Sequence, residues 1–369
     1  MIRRFLSSMR WYLVNMGRWL QQRRSPGSGP SVWVDVHENS WHRYLHIFIL
    51  FLRLRGYTVH VRHRWGFIAC WASSELFRLS SHQFRFYFRN AAISAGAWLI
   101  TDRPTDRPHI LLDADYFPLP GETRPGLRVP MSLFYTIYVH EVHDRFPVDA
   151  LAPRQQAVFF FGNMDPQAYV RNEVQEVFGC FNRMYLLGLV RKELADHVHE
   201  PDDVDEVDAQ GSRYIVLTDR LRAHIDTRKL LSVLARFDFF LAPSGVVMPL
   251  CHNLVEALCA GCIPILQHPH LMEPPLRHGV DCLSFNTEAE LLDLLKSIPT
   301  MEADTILQMR RNALAYYQRN LTPEAVLGTM EKEGAKLQRL LLNGEYVSVN
   351  LLREKLRARG ITGPLPRPQ

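Results

Sequence analysis

Short apolar runs alternate along this chain with longer segments whose apolar positions recur every three or four residues. Residues 31–36 (SVWVDV) read as a strand, 41–55 as a long apolar helix closed by Gly56, and 57–61 as the next strand. Residues 97–101 and 109–112 read as two more strands, separated by a polar, proline-broken turn. A strand–helix–strand opening of this kind predicts a parallel sheet with helices on both faces.

A second series starts near Ala157. Residues 157–161 (AVFFF) form a buried strand that ends in Gly162-Asn163, and residues 166–196 are mainly helical. Strands follow at 214–218, 239–242, 263–266 and 282–285, with helices at 227–236, 252–260 and 287–297. The stretch 200–208 is an acidic loop, and residues 304–359 read as nearly all helical. The expected organisation is a segment and linker at 1–30, an α/β lobe at 31–150, a second at 151–300 and a helical region at 301–369, with the two lobes meeting near 147–154. Ligands of such sheets sit outside the carboxyl ends of the strands, and a cleft between two lobes suits a pair of substrates.

Charge narrows the partners. The net charge of +5 has a local source: residues 1–24 hold six of the 43 basic side chains and no acidic one, which leaves 37 against 38 elsewhere. A balanced body does not suit a polyanion, so nucleic acid is not an expected partner. In the basic segment Phe5, Met9, Tyr12, Leu13, Met16 and Leu20 share one helical face, while Arg3, Arg4, Arg10 and Arg18 share the other. Such a helix suits an anionic membrane surface; packing against its own protein is the alternative. No run of about 20 apolar residues spans a membrane. Cys259 and Cys262 form a CxxC at a helix end, the wrong end to activate a thiolate, and no second CxxC completes a zinc site. Both are expected to be buried, in a reducing and hence cytoplasmic compartment, with peripheral membrane contact through residues 1–24 left open.

The most informative stretch is 239–267, FFLAPSGVVMPLCHNLVEALCAGCIPILQ. A strand delivers the chain to Pro243-Ser244-Gly245, and a helix starts near His252 whose amino end suits a phosphate. His252, Asn253 and Glu256 stand at i, i+1 and i+4, so one side of that helix can present all three. Glu256 can accept hydrogen bonds from vicinal sugar hydroxyls. Read without any resemblance, a plain strand–helix–strand unit with a solvated Glu256 accounts for the pattern equally well.

The segment EALCAGCIPIL, residues 256–266, resembles the donor-binding signature of GT-B glycosyltransferases, with its nearest flavour in exostosin-like and related inverting families. The run HGVDCLSF at 278–285, the helix at 288–295 and the Gly162-Asn163 turn resemble the same group, and the likeness covers about residues 155–300. It implies two Rossmann-like lobes facing across a cleft, with an acceptor-side lobe at 31–150 and a nucleotide-sugar lobe at 151–300. It also implies that Glu256 contacts the ribose of a UDP- or GDP-linked sugar, that Ser244, Gly245, His252 and Asn253 approach the diphosphate, and that Gly162 and Asn163 line the cleft floor. The acceptor would be a glycan or a lipid-linked sugar, as in cell-surface polysaccharide synthesis. Retaining members of the glycogen-synthase-like group carry a second Glu eight positions before the one matching Glu256; Met248 stands here, which favours inversion.

Inversion needs a base for the acceptor hydroxyl. His37 or Glu38, after the first strand, is the candidate, with Asp113 and Asp115 as rivals and a turn or capping role as the alternative for each. No cofactor is implied, and the likeness implies no bound metal. The His140–Asp144 run misses the HExxH spacing, although two His at i and i+3 can share a helix face. The absence of G-x-G-x-x-G after the first strand and of any P-loop disfavours dehydrogenases and P-loop NTPases. Two other readings stay open: a non-catalytic sugar-nucleotide binding protein of the same fold, and a sugar-nucleotide epimerase.

Overall fold

The computed structural model describes residues 6, 9–10, 12–14, 16–17, 29–37, 42–64, 84–88, 93, 96–123, 125–146 and 148–366. Among these, thirteen strands form two sheets, and every pairing between named strands is parallel. The chain is an α/β protein that divides into two compact units: residues 1–130 with 323–351, and 131–322 with 352–369.

The first unit carries β1 (Ser31–Asp35), β2 (Thr58–Arg62), β3 (Arg85–Tyr87), β4 (Trp98–Thr101), β5 (Ile110–Asp113) and β6 (Leu127–Arg128). Helix α1 (His42–Leu54) joins β1 to β2. From Tyr44 to Leu52 it is buried on every side, as expected of a helix without a polar face. Gly56, at φ +91°, ends it, because its N–H bonds the Arg53 carbonyl while the next N–H bonds that of Leu52.

The second unit carries β7 (Gln155–Gly162), β8 (Val198–His199), β9 (Ile215–Asp219), β10 (Phe237–Leu241), β11 (Ile263–Leu266) and β12 (Leu283–Ser284). Its sheet runs β12-β11-β10-β7-β9-β8. The central strands are buried on both faces, which is why they read as unbroken apolar runs. Phe159 stacks on Phe237 across neighbouring strands, with ring centres 4.7 Å apart. An ion pair enters this core: Asp238 meets Arg310 at 3.1 Å, and Arg310 also donates to the Ala152 carbonyl at 2.8 Å.

The carboxyl end of the chain departs from the expected run of helices. After α9 (Ala303–Asn320) and α10 (Pro323–Glu333), residues Arg339–Leu341 form β13. This strand lies between β5 and β6 in a sheet ordered β3-β2-β1-β4-β5-β13-β6. Three residues are too few for a visible period of two, so flanking helices mask such a strand in the sequence. The units also divide at Pro130, ahead of the expected 147–154.

In both sheets the winding direction reverses between two neighbours, β1 and β4 in one and β7 and β10 in the other. Loops leaving such a pair must diverge to opposite sides, which opens a crevice at the strands' carboxyl ends.

Candidate functional site

In the second unit that crevice is a cavity of about 520 Å³. Phe161, Gly162 and Asn163 line it from the end of β7, Arg220 from the end of β9, and Gly245 from the loop after β10. Helix α7 (His252–Cys259) contributes His252, Asn253 and Glu256. The structure therefore gathers six of the seven residues expected around a donor: Gly162, Asn163, Gly245, His252, Asn253 and Glu256.

Ser244 is the exception. It is 1% exposed, does not line the cavity, and its hydroxyl has no hydrogen-bond partner. The loop folds back so tightly that a side chain at Gly245 would meet the Met248 carbonyl oxygen at 2.7 Å. Only the backbone at 245 reaches the cavity wall, and the neighbouring Ser244 side chain is sequestered.

Helix α7 is anchored at its start. Asn253 donates to the Phe161 carbonyl at 2.5 Å, tying the helix to the end of β7. His252 Nδ1 donates to the Ser132 carbonyl at 2.7 Å, and its ring meets Phe134 edge-on. At the N-cap the Cys251 sulfur faces the Asn253 and Leu254 N–H groups, the first-turn donors that an anion would also use. At the far end Gly261, at φ +71°, reverses the chain into β11.

Glu256 is 5% exposed and is the one carboxylate among the described lining residues. Burial pushes its pKa up to about 7, against a smaller opposing effect from the Phe134 N–H, which donates to Oε1 at 3.3 Å.

Two guanidinium groups line the same cavity, and neither has a carboxylate partner among the described residues. Arg220 is exposed. Arg183 is 5% exposed; its Nη1 donates to the Asn163 carbonyl at 3.3 Å, it lies over the Phe160 and Tyr169 rings, and its Nε has no partner. A buried cation offset by ring faces, one carbonyl and the Tyr169 hydroxyl, with no carboxylate beside it, is costly to keep, and an anionic ligand relieves that cost. The sequence reading missed Arg183, although a signal was present. It opens α5 (Arg183–Glu193), and Leu186, Leu187 and Val190 follow at i+3, i+4 and i+7, so the arginine shares the buried stripe.

In the first unit His37 stands two residues beyond β1. Its Nδ1 lies 2.9 Å from Asp102 Oδ1, and its backbone N–H donates to the same carboxylate. The His37 side chain is 21% exposed and that of Asp102 only 2%. Asp102 follows β4, whose Thr101 pairs with Asp35 of β1, so the register itself brings the two together. Asp102 was not foreseen, because only strand pairing makes it a neighbour of residue 37. Glu38 lies outside the described residues. Of the rivals, Asp113 is committed elsewhere: it pairs with Arg339 at 3.3 Å and accepts the Asp115 N–H at 2.9 Å.

The two His at 140 and 143 do not share a helix. Helix α2 (Tyr135–Val139) stops before His140, α3 (Val142–Arg145) contains His143, and Glu141 between is left-handed at φ 55°. Cys259 and Cys262 are both buried free thiols pushed up to about 12 by burial. No helix of the described residues is long and apolar enough to cross a membrane. Of the basic segment, Phe5, Leu20 and every arginine except Arg10 lie outside the described residues. Tyr12 hydrogen-bonds His63, while Leu6 and Leu13 are exposed.

No known family profile and no curated protein matches the chain. Among solved structures, Alr3699/HepE of Anabaena in complex with UDP superposes with a TM-score of 0.46 at 10% identity, over 84% of this chain and 100% of that one. The same protein with UDP and glucose gives 0.44 at 9% identity, over 81% and 98%. The N-terminal domain of Candida albicans trehalose-6-phosphate phosphatase gives 0.34 at 10% identity, over 87% and 73%. These are remote likenesses.

Proposed function

We propose that this chain is a glycosyltransferase of GT-B type that moves a sugar from a UDP- or GDP-linked donor to a glycan or lipid-linked acceptor, with inversion and without a bound metal. One observation carries the reading: a cavity at the switch point of the second sheet in which two unpaired guanidinium groups and the amino end of α7 surround a single buried carboxylate. The positive groups fit a diphosphate, and their fixed charge stabilises it as a leaving group. In its ionised form Glu256 accepts the ribose hydroxyls, and at Gly162 and Gly245, where a side chain would collide with Phe160 and the Met248 carbonyl, bare backbone lines the cavity.

The base proposed for the acceptor hydroxyl is His37. With Nδ1–H held by Asp102, the imidazole presents Nε2 as the proton acceptor, and the carboxylate stabilises the imidazolium that forms. Contact of residues 1–24 with a membrane surface, and a cytoplasmic location, remain parts of the same proposal.

The decisive experiment is calorimetric titration with UDP and GDP, followed by transfer assays with their sugars on wild type and Glu256→Ala. Saturable nucleotide binding that the variant weakens, with transfer lost and the melting temperature kept, is the expected result. A nucleotide present at 100 times its dissociation constant should also add about 2.7 kcal/mol to stability. Binding without any transfer would leave only a binding protein, and no binding of either nucleotide would end the proposal.

A further inference from the structure

The first unit holds a second cavity, of about 760 Å³, at the amino ends of β4 and β5. Ala97, Trp98, Ile110 and Leu337 form apolar walls, and Trp98 is braced by Tyr57, whose ring centre is 5.3 Å away. The titratable groups among its described lining residues are Arg107 and His109. Arg107 is exposed and has no ion-pair partner among the described residues. His109 Nδ1 donates to the Arg107 carbonyl at 2.8 Å, which ties the two together at one end of the trough. The adjoining cavity shares these two residues and is lined also by Asp106, Glu333, Lys336 and Arg339, of which Arg339 pairs with Asp113. Arg107 is the one Lys or Arg side chain among the described residues that line the apolar trough, and no Asp or Glu lines it.

We propose that this trough binds a lipid monomer that carries a phosphate head, with the hydrocarbon chain along the apolar walls and the head on the Arg107 guanidinium. Away from Arg107 and His109 the walls offer one side-chain donor, the Trp98 indole N–H, and no acceptor, so a polar ligand would lose most of its hydration there without return. An apolar chain gains from the same surface, and the volume falls within the roughly 300–1,000 Å³ of small-molecule sites. A guanidinium fork holds a phosphate with paired hydrogen bonds. The trough opens at the amino ends of the strands, whereas His37 and Asp102 sit at carboxyl ends in the same sheet. It is thus a holding site and does not depend on the donor reading.

The test uses the full chain and displacement of fluorescent cis-parinaric acid, with farnesyl phosphate, farnesol and inorganic phosphate as competitors. One saturable site is expected, displaced by farnesyl phosphate at a concentration about tenfold lower than by farnesol, and not displaced by inorganic phosphate. Arg107→Gln should erase the preference for the phosphorylated chain. Ala335→Glu, at an exposed lining position, should weaken both competitors about tenfold by placing a carboxylate in the trough. Equal potency of the two competitors on wild type, an unchanged preference in Arg107→Gln, or full binding by Ala335→Glu would overturn the site. Binding to phosphatidylglycerol vesicles with none to the monomer would overturn it too, in favour of a surface contact.

Discussion

The two sheets end their switch-point strands in opposite electrostatic states. Beyond β1 and β4, His37 and Asp102 satisfy one another, and Asp35 nearby is held by both Arg62 and Arg64. Beyond β7 and β10, Arg183 and Glu256 are each buried without an opposite charge. The same topology thus presents two kinds of polar cluster. A satisfied pair fixes the orientation and tautomer of a ring at little cost, which suits proton transfer. Unsatisfied groups are destabilising until a ligand arrives, which suits binding.

The comparison breaks most visibly if the satisfied pair does no chemistry. His37→Ala should lower transfer by about 10²–10⁴ while nucleotide affinity stays within twofold, and Asp102→Asn should follow it part of the way. Steady-state rates set beside calorimetric affinities decide this; a parallel loss of affinity would give His37 a structural role instead.

Next in size is Arg183→Met. Losing charge-assisted hydrogen bonds of about 1.5–3 kcal/mol should weaken nucleotide binding roughly 10- to 100-fold. Because the guanidinium is buried without a carboxylate, the melting temperature should hold or rise. A fall in melting temperature with unaltered affinity would show that the cation serves the fold.

Glu256 gives a pH signature. Its pKa of about 7 lies above the ordinary carboxyl value near 4.3, so the folded state binds a proton that the unfolded state has released between those limits. Stability should therefore decline as pH rises through this window, by an amount on the order of 3 kcal/mol, and Glu256→Gln should remove the decline. Nucleotide affinity should run the other way, rising severalfold from pH 6 to 8 as the carboxylate forms. His224 and His252 also line the cavity, so the difference between wild type and Glu256→Gln is the quantity to measure.

The smallest effect is expected at Ser244. Its hydroxyl is buried without a partner, a cost of about 1–3 kcal/mol, so Ser244→Ala should be neutral or stabilising in a denaturant melt. A clear loss of stability or of nucleotide affinity there would restore the serine to the binding site.

Much of the fold was legible. The strands at 31–35, 58–62, 215–219 and 263–266 lie within a residue of their expected bounds, because each is an apolar run closed by polar or glycine punctuation. The strands at 85–87, 127–128, 198–199 and 339–341 escaped, since two or three residues carry no period. In the site, α7 places His252, Asn253 and Glu256 together by helical spacing alone. The partners that give them character do not follow from spacing, because Phe134 and Ser132 lie 122 and 120 residues away along the chain.

By itself the sequence determined an alternating α/β chain, two parallel sheets' worth of strands, and a helix whose amino end suits a phosphate and whose Glu256 can accept from hydroxyls. Periodicity and turn chemistry act over a few residues, so they survive in one dimension. Tertiary structure alone decided that Asp102 orients His37, that Ser244 faces inward, that Arg183 reaches the cavity, and that residues 339–341 cross into the first sheet. Those outcomes depend on strand register and on which buried charge lacks a neighbour, and both arise only when distant segments pack.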